Sequence, residues 1–133
     1  MEFKSQVCTS RIQSELLLSL GLKKETADMC YKYFGTNSLG RRLRYNEPSV
    51  GVPDVNDIPA WSLHRLIEMM PKKVVTPTKG HYYRVLYNNS IGYEIGEYSI
   101  AMFFGENIYD KIISCIEWLI KEGYFNKEFL EEM

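Results

Sequence analysis

The chain has 133 residues, a formal net charge of −1 and 45% hydrophobic residues, a balance typical of a folded globular protein and not of a disordered one. This length suits one domain, and no apolar run approaches the roughly 20 residues that span a bilayer. Met1–Gln6 lacks the apolar core of a secretory signal. We therefore expect a single domain over residues 1–133 that is cytoplasmic and makes no membrane contact.

The cysteines and histidines do not follow the pattern of a metal site. Cys8, Cys30 and Cys115 are widely spaced, and only two histidines, His64 and His81, accompany them. A structural zinc site needs about four such ligands, usually in closely spaced pairs. We expect no metal and no cofactor, with the cysteines buried as small apolar residues in a reducing compartment.

Charge and aromatic content are unevenly distributed. Residues 1–50 carry eight basic and five acidic side chains, whereas residues 91–133 carry three basic and nine acidic ones. Such asymmetry can attract a charged partner or a second copy, or it can reflect an acidic helix facing water. The ten tyrosines suit half-buried sheets and interfaces, so they favour a binding surface without locating it.

The first predicted helix covers residues 10–20. Ser10 and Gln13 have the spacing of a capping box, and Gly21 lies where a helix commonly ends. The apolar residues recur at helical spacing, which predicts one buried face. The residues of that face are Ile12, Leu16, Leu17 and Leu20.

The middle of the chain gives mixed signals. Residues 30–34 and 43–45 are typical of two short strands of a hairpin, whereas residues 46–59 show no periodicity and predict a long loop. Residues 59–62 open a second helix that Pro71 ends. The apolar face expected for that helix is Leu63, Leu66, Ile67 and Met70.

The clearest strand pattern begins at His81. Residues 81–87, 91–96 and 98–104 alternate with period two and are separated by short turns. In the first of these strands Tyr82 and Arg84 alternate with His81 and Tyr83. Gly92 and Gly96 either leave room for a close approach to the backbone or mark an irregular strand.

The strongest helix pattern follows Asn107, which can cap it, and ends near Gly123. Its apolar stripe predicts burial against the strands, and residues 126–133 form a short C-terminal tail. We therefore predict an α+β fold in which an antiparallel meander of at least three strands packs against a long C-terminal helix, with two further helices.

No catalytic constellation emerges from the sequence. His64 and His81 have no nucleophile or orienting acid at a recognisable spacing, and there is no Gly-x-Ser-x-Gly motif. Glu94 lies among several carboxylates near the end of the strands, but a solvated surface explains such a cluster. We assign no catalytic residue and favour a protein that is not an enzyme.

The sharpest functional feature is the run Gly40–Tyr45, in which Arg41, Arg42, Arg44 and Tyr45 occur within five residues. Arginine and tyrosine together can bind phosphates and stack on bases, or contact an acidic protein segment. The alternative is a solvated, charged edge strand that prevents aggregation. Because the chain is not basic overall, nucleic acid is not the expected partner.

Three parts of the chain have a familiar pattern: Asp57–Leu63 running on to Leu66–Lys72, Gly105–Asp110 running on to Ile116–Leu119 and Glu122–Tyr124, and the residues Gln13, Ser14, Leu20, Gly21, Ala27, Asp28 and Met29. They resemble small proteins without assigned function from gut bacteria, their phages and mobile elements. The resemblance concerns helix caps and core positions, so it brings no catalytic residue or cofactor. It implies a cytoplasmic protein associated with a phage or mobile element.

These observations favour a small interaction protein that binds a protein partner or itself. Its contacts are predicted first at Arg41, Arg42, Arg44 and Tyr45, and second at an exposed sheet face with Tyr82, Arg84 and Glu94. The alternative is a protein that binds a small ligand or nucleotide in a pocket lined by arginine and tyrosine.

Overall fold

The structure is a computed structural model that describes residues 6–36, 42–44, 47–78 and 80–132, with strand residues 34–36 and 42–44 described by their backbone alone. Short 3₁₀ turns lie at Lys24–Thr26 and Lys127–Phe129. The helices of the described residues are α1 (Arg11–Ser19), α2 (Leu63–Met69) and α3 (Ile108–Lys121). The strands are β1 (Met29–Tyr31), β2 (Tyr33–Thr36), β3 (Arg42–Arg44), β4 (Ser49–Val50), β5 (Ile58–Ala60), β6 (Lys73–Thr76), β7 (Gly80–Leu86), β8 (Ser90–Ile95) and β9 (Tyr98–Phe104).

The α+β prediction is confirmed. Strands β6, β7, β8 and β9 pair in that order as an antiparallel meander, and the long C-terminal helix α3 packs on it. Sequence analysis missed β6, although its residues alternate between exposed and buried. The chain divides into two compact units, Met1–Leu66 with Phe129–Met133 and Ile67–Glu128. That residues 1–133 form a single domain stays a prediction.

Helix α1 of the first unit has the predicted cap but buries a different face. Ser10 and Gln13 form the expected capping box. However, Ile12 is 73% exposed and Leu16 is half exposed. The expectation that these two residues lie on the buried face is wrong.

Satisfied polar side chains explain the rotated face of α1. Its buried residues are Gln13, Ser14 and Leu17. The hydroxyl of Ser14 lies 2.8 Å from that of Thr9, and the side chain of Gln13 accepts the backbone N–H of Ser10. Because these groups have partners, their burial carries little penalty, and apolar periodicity alone assigns the wrong face.

Trp61 anchors the first unit. Its fully buried indole donates to the hydroxyl of Thr26 at 3.0 Å, and its backbone exchanges hydrogen bonds with Thr9. The next residue, Ser62, begins α2 by accepting the backbone N–H of Arg65 at 3.1 Å. Asp28 in turn accepts from the backbone and hydroxyl of Ser62. Sequence analysis opened this helix at residues 59–62; its first helical residue is Leu63, and residues 59 and 60 belong to β5 instead.

Short strands occupy part of the predicted loop 46–59. Strand β1 lies between β4 and β5 in a three-stranded antiparallel sheet, so residues 49–50 and 58–60 are strand and not loop. Strands of two and three residues are too short to show periodicity, which is why the pattern missed them. Strands β2 and β3 pair antiparallel, so a strand pair does form in the segment predicted as a hairpin. The predicted bounds of its first strand, residues 30–34, are wrong, because residues 30 and 31 belong to β1 and residues 35 and 36 extend β2.

The C-terminal tail of the first unit is held by backbone contacts. Leu130 forms an isolated bridge with Leu22, and Lys23 donates to the carbonyl of Phe129 at 2.8 Å. Glu131 donates to the carbonyl of Gly21 at 2.7 Å. Residues 129–131 are therefore tied to the segment that follows α1.

Helix α3 of the second unit follows the sequence prediction closely. The side chain of Asn107 accepts the backbone N–H groups of Tyr109 and Asp110, and Glu117 pairs with Lys121 at 3.1 Å. Its buried stripe lies against the sheet, where the ring of Trp118 contacts Tyr93 and Phe103. The buried apolar residues of the stripe are Tyr109, Ile112, Ile113, Cys115, Ile116 and Leu119.

Gly92 allows β8 and β9 to approach closely. A Cβ at this position would overlap the carbonyl oxygen of Ala101 and lie 2.6 Å from Sδ and 2.9 Å from Cα of Met102. Gly96 differs, because it lies in the turn between the strands with φ +58° and open space around it. The two glycines thus serve different purposes, close approach at Gly92 and turn geometry at Gly96.

We predict that Gly92→Ala lowers the free energy of unfolding by about 2–3 kcal/mol, because the added methyl group must separate β8 from β9. Gly96→Ala is the matched control and costs about 1 kcal/mol through its backbone conformation alone. Urea denaturation of both variants measures the difference. Equal losses in the two variants would contradict the close approach at Gly92.

Asp57 is a buried carboxylate that contacts two backbone donors and one lysine in the first unit. Its oxygens accept the backbone N–H groups of Tyr33 at 2.8 Å and Asp54 at 2.9 Å, and Lys32 lies 3.5 Å away. Burial by itself would raise the pKa of Asp57, but these donors and the lysine charge outweigh it and hold the pKa below its ordinary 3.8. The charged carboxylate therefore stabilises this region.

This pKa shift predicts an acid-sensitive contribution to stability. Because the pKa of Asp57 is lower in the folded chain, its contribution is present above the ordinary value of 3.8 and is lost as the pH falls through the folded-state value. Asp57→Asn removes about 2 kcal/mol at neutral pH, since its amide opposes a backbone donor. The variant's unfolding free energy then falls less than that of the unmodified chain on acidification.

Urea denaturation between pH 7 and pH 2 measures both effects. Asp54→Asn is the control, because the Asp54 side chain is exposed. A parallel fall of stability in Asp57→Asn and the unmodified chain would show that the Asp57 charge contributes nothing.

Candidate functional site

The arginine-rich segment lies in and beside the β2–β3 hairpin. Arg42 and Arg44 are the end residues of β3, where they pair with Thr36 and Tyr33 of β2. Arg41 and Tyr45 lie outside the described residues. The predicted contact role of this segment stays a prediction.

The β6–β9 sheet has two faces of different exposure. The helix-covered face lies against α3 and consists of Val74, Thr76, Tyr82, Arg84, Ile91, Tyr93, Ala101 and Phe103. The other side, which we call the open face, consists of Lys73, Val75, His81, Tyr83, Val85, Tyr87, Glu94, Met102 and Phe104.

Tyr82 belongs to the helix-covered face and is only 7% exposed. The prediction that Tyr82 and Arg84 lie on an exposed face with Glu94 is therefore wrong. Glu94 pairs in register with Tyr83 and lies on the open face instead. Each face of β7 carries a tyrosine and an aliphatic side chain. The alternation therefore predicted a strand, but it did not indicate which face the helix covers.

Arg84 has a structural role at the end of α2. Its Nη1 donates to the carbonyl oxygens of Ile67 at 2.9 Å and Met70 at 3.0 Å. Its register partner Tyr93 donates its hydroxyl to the carbonyl of Pro71 at 2.6 Å. This cross-strand pair donates hydrogen bonds to carbonyls in the last turn of α2 and just beyond it, where backbone partners run out; of the three, Ile67 also accepts the backbone N–H of Met70.

The open face is rich in exposed aromatic side chains. Tyr83 is 52% exposed and Phe104 is 70% exposed, and Val75 and Tyr87 are each about half exposed. The Tyr87 hydroxyl donates to a carboxylate oxygen of Glu94, and this bond raises the pKa of Tyr87. The open face therefore presents apolar surface around a polar pair.

The glycine in β8 shapes the open face. Tyr87 pairs with Ser90 at the start of β8, and Glu94 lies four residues further along that strand. The hydrogen bond from Tyr87 to Glu94 therefore spans the position of Gly92. The Met102 sulfur covers Gly92 from the neighbouring strand. Sequence analysis placed Tyr83 and Tyr87 on one face but did not identify that face as the exposed one.

A separate small cavity lies in the first unit. Its volume is about 220 Å³ and its lining includes Cys8 and Tyr31, with the Arg11 guanidinium 5.4 Å from the centre of the Tyr31 ring. Burial raises the pKa of the Cys8 thiol, although its contact with the Tyr31 hydroxyl opposes this. The thiol is thus protonated near neutral pH and is a poor nucleophile. The remaining lining residues are Gln6, Val7, Ser10 and Pro48.

The other cysteines are also buried free thiols, as the sequence predicts. Burial raises the pKa of Cys115 to about 12 and also raises that of Cys30. In the described ranges no three His, Cys, Asp or Glu side chains are grouped so that they could hold a metal ion.

Comparisons with known proteins give no relative. No protein-family model, curated protein or solved structure matches the chain. As for membranes, none of the helices among the described residues has both the length and the apolarity to cross a bilayer.

We predict that Arg84→Met lowers the free energy of unfolding by about 2 kcal/mol, because it leaves the carbonyls at the end of α2 without their charged donor. Methionine keeps the apolar stem, so the loss reports mainly on the hydrogen bonds. Lys73→Met, on the exposed part of β6, is the control. Equal stability of the two variants in urea denaturation would refute the capping role.

Proposed function

We propose that this chain is a small, non-enzymatic interaction protein that binds a protein partner through the open face. The observation that carries the proposal is the exposure of Tyr83, Tyr87 and Phe104 on the side of the sheet opposite to α3. In an antiparallel sheet with one face in water, the side chains of that face are normally polar. An apolar face of this kind is typical of an interaction surface.

The chemistry of the open face favours protein over nucleic acid as the partner. Interfaces between proteins are enriched in tyrosine, phenylalanine and methionine, with polar groups at the rim. Tyr83, Met102 and Phe104 supply the first kind of residue, and Lys73 and His81 supply the second. A nucleic acid backbone needs clustered cations, whereas the open face carries the Glu94 carboxylate.

A small-ligand or nucleotide function has less support. Ligand pockets usually enclose about 300–1,000 Å³, whereas the cavity beside Tyr31 encloses about 220 Å³. The Arg11 guanidinium lies over the ring of Tyr31 beside this cavity, but the arginines expected to line a ligand pocket are those of the Gly40–Tyr45 run. The cavity beside Tyr31 is therefore smaller than a usual ligand pocket. A groove between β9 and α3 reaches about 370 Å³, but the Lys121 of its lining is already paired with Glu117, so it offers an anionic ligand little charge.

The biological setting remains part of the proposal. We infer a cytoplasmic protein associated with a phage or mobile element, and only the sequence resemblance supports this setting. The partner is either another protein or a second copy of the chain, since an aromatic sheet face suits both. Arg41, Arg42, Arg44 and Tyr45 are proposed as a second contact region.

We predict that a photo-crosslinking residue, p-benzoylphenylalanine, at position 83 forms one defined covalent adduct in cells. The ring replaces a half-exposed tyrosine on the open face, so it lies against whatever covers that face. Mass spectrometry of the adduct identifies either a partner or a second copy. Purified partner, or sedimentation for self-association, then gives the affinity of the unmodified chain.

The matched control carries p-benzoylphenylalanine in place of Ile12, which is an exposed apolar residue of the first unit. In the binding assay, the double variant Tyr83→Ser with Phe104→Ser weakens affinity at least about tenfold, since both apolar contacts are lost. Ile12→Ser leaves affinity unchanged. Identical adduct patterns at positions 83 and 12, or unchanged affinity of the double variant, would exclude the open face.

A further inference from the structure

Strand β9 forms an outer edge of the sheet. It pairs with β8 on one side, and in the described part of the chain no strand pairs with its other side. A strand edge presents unpaired N–H and C=O groups that can bind another extended chain. The seven residues of β9, Tyr98–Phe104, include neither a charged residue nor proline.

Hydrogen-bond alternation identifies the groups at this edge. The backbone N–H of Tyr87 donates to the carbonyl of Ser90, so Ser90 directs its backbone groups toward β7. The next residue, Ile91, directs its groups toward its partner Phe103 in β9, because direction alternates along an antiparallel strand. The residues of β9 with outward N–H and C=O groups are therefore Met102 and Phe104.

A groove lies beside this edge, between β9 and α3. It encloses about 370 Å³ and is lined by Phe103 of β9 and four residues of α3. The Trp118 ring lies 6.4 Å from that of Phe103 and supplies an apolar wall. Side chains of a strand added to β9 on the helix-covered side would enter this groove. The other residues of its lining are Ser114, Glu117 and Lys121.

Negative charge surrounds the edge and the groove. Glu97 and Glu106 are exposed immediately before and shortly after β9. Asp110 is exposed on α3. At the groove itself, Lys121 is balanced by Glu117, 3.1 Å away. The surroundings therefore favour an occupant with basic residues outside an uncharged centre.

We propose that this site binds an extended segment of a partner protein, which adds to β9 as an antiparallel strand. Alternate apolar side chains of the segment enter the groove against Phe103 and Trp118, and its basic residues lie near Glu97 and Glu106. Strand addition of this kind obtains affinity from backbone hydrogen bonds and specificity from alternate side chains.

A second copy of the chain is a poorer occupant. Antiparallel pairing of two β9 strands centred on Ala101 would place Glu97 of each copy near Glu106 of the other. Like charges across a strand pair are destabilising. The charge pattern thus favours a different, basic segment.

The test uses the full chain and the synthetic peptide Ac-KKTVTLTVTKK-NH2, labelled with fluorescein for anisotropy. In antiparallel pairing, the peptide residues opposite Met102 and Phe104 lie on the side of the open face and direct their N–H groups at β9. When the valine and leucine side chains of the peptide occupy the groove, these peptide residues are its threonines. N-methylation of the central threonines should weaken binding at least about 30-fold, whereas N-methylation of valine and leucine changes it less than about threefold.

Charge and position are tested separately. A peptide with glutamate in place of lysine should bind at least about tenfold more weakly. Ser114→Arg, an exposed residue of the groove, should weaken binding of the lysine peptide by a similar factor. Thr78→Arg adds the same charge in the turn after β6 and should have no effect. Amide exchange by NMR should show new protection at Met102 and Phe104.

Four results would overturn the proposal. Two concern the peptides: equal binding of both N-methylated peptides, or no binding of the parent peptide. The third is protection confined to other strands. The fourth is a dimer of the chain alone with Met102 and Phe104 already protected, which would make a second copy the occupant. The proposed function fails separately, because crosslinking at Tyr83 tests side chains of the open face and not the backbone edge of β9.

Discussion

A single helix covers one side of a sheet, and the β6–β9 sheet carries apolar side chains on both sides. Four strands about 4.8 Å apart form a surface that one helix about 10 Å wide covers on one side only. Helix α3 takes the side with Tyr93 and Phe103, where Trp118 packs between their rings. The open face and the edge at β9 are what this arrangement leaves uncovered, and both proposed interactions follow from it.

Arg84 and Tyr93 show how the covered side serves more than burial. They face each other across β7 and β8 and donate to three carbonyls at and beyond the end of α2. The guanidinium of Arg84, on the helix-covered face, therefore joins the end of α2 to the sheet within the second unit. The arginine that sequence analysis assigned to binding is occupied in holding the structure together.

Local signals were sufficient to predict elements whose cause is local. Ser10 with Gln13, and Asn107, cap their helices through bonds from side chain to backbone within three residues, as the sequence predicted. The pattern from His81 onward predicted the meander, because alternation along a strand is also local. Such features depend little on distant residues, so one sequence is enough to find them.

Features decided by distant partners could not be predicted in this way. Ser14 is buried on α1 beside the hydroxyl of Thr9, which in turn accepts the backbone N–H of Trp61 from far along the chain, and no apolar pattern indicates that contact. Tyr82 and Tyr83 lie on opposite faces of β7, and the sequence does not indicate which of the two faces α3 covers. The candidate site was consequently assigned to the wrong side of β7, although Glu94 was placed on an exposed face.

Gly92 connects the geometry of the open face to its binding capacity. With no side chain there, Met102 can cover the backbone and Tyr87 can reach Glu94 across the gap. The hydrogen bond restrains Tyr87, and restrained aromatic side chains lose less conformational entropy when a partner binds. The same close approach holds β9 against β8, which keeps the outward groups of Met102 and Phe104 aligned as an edge. One missing side chain thus supports the order of both surfaces before any partner arrives.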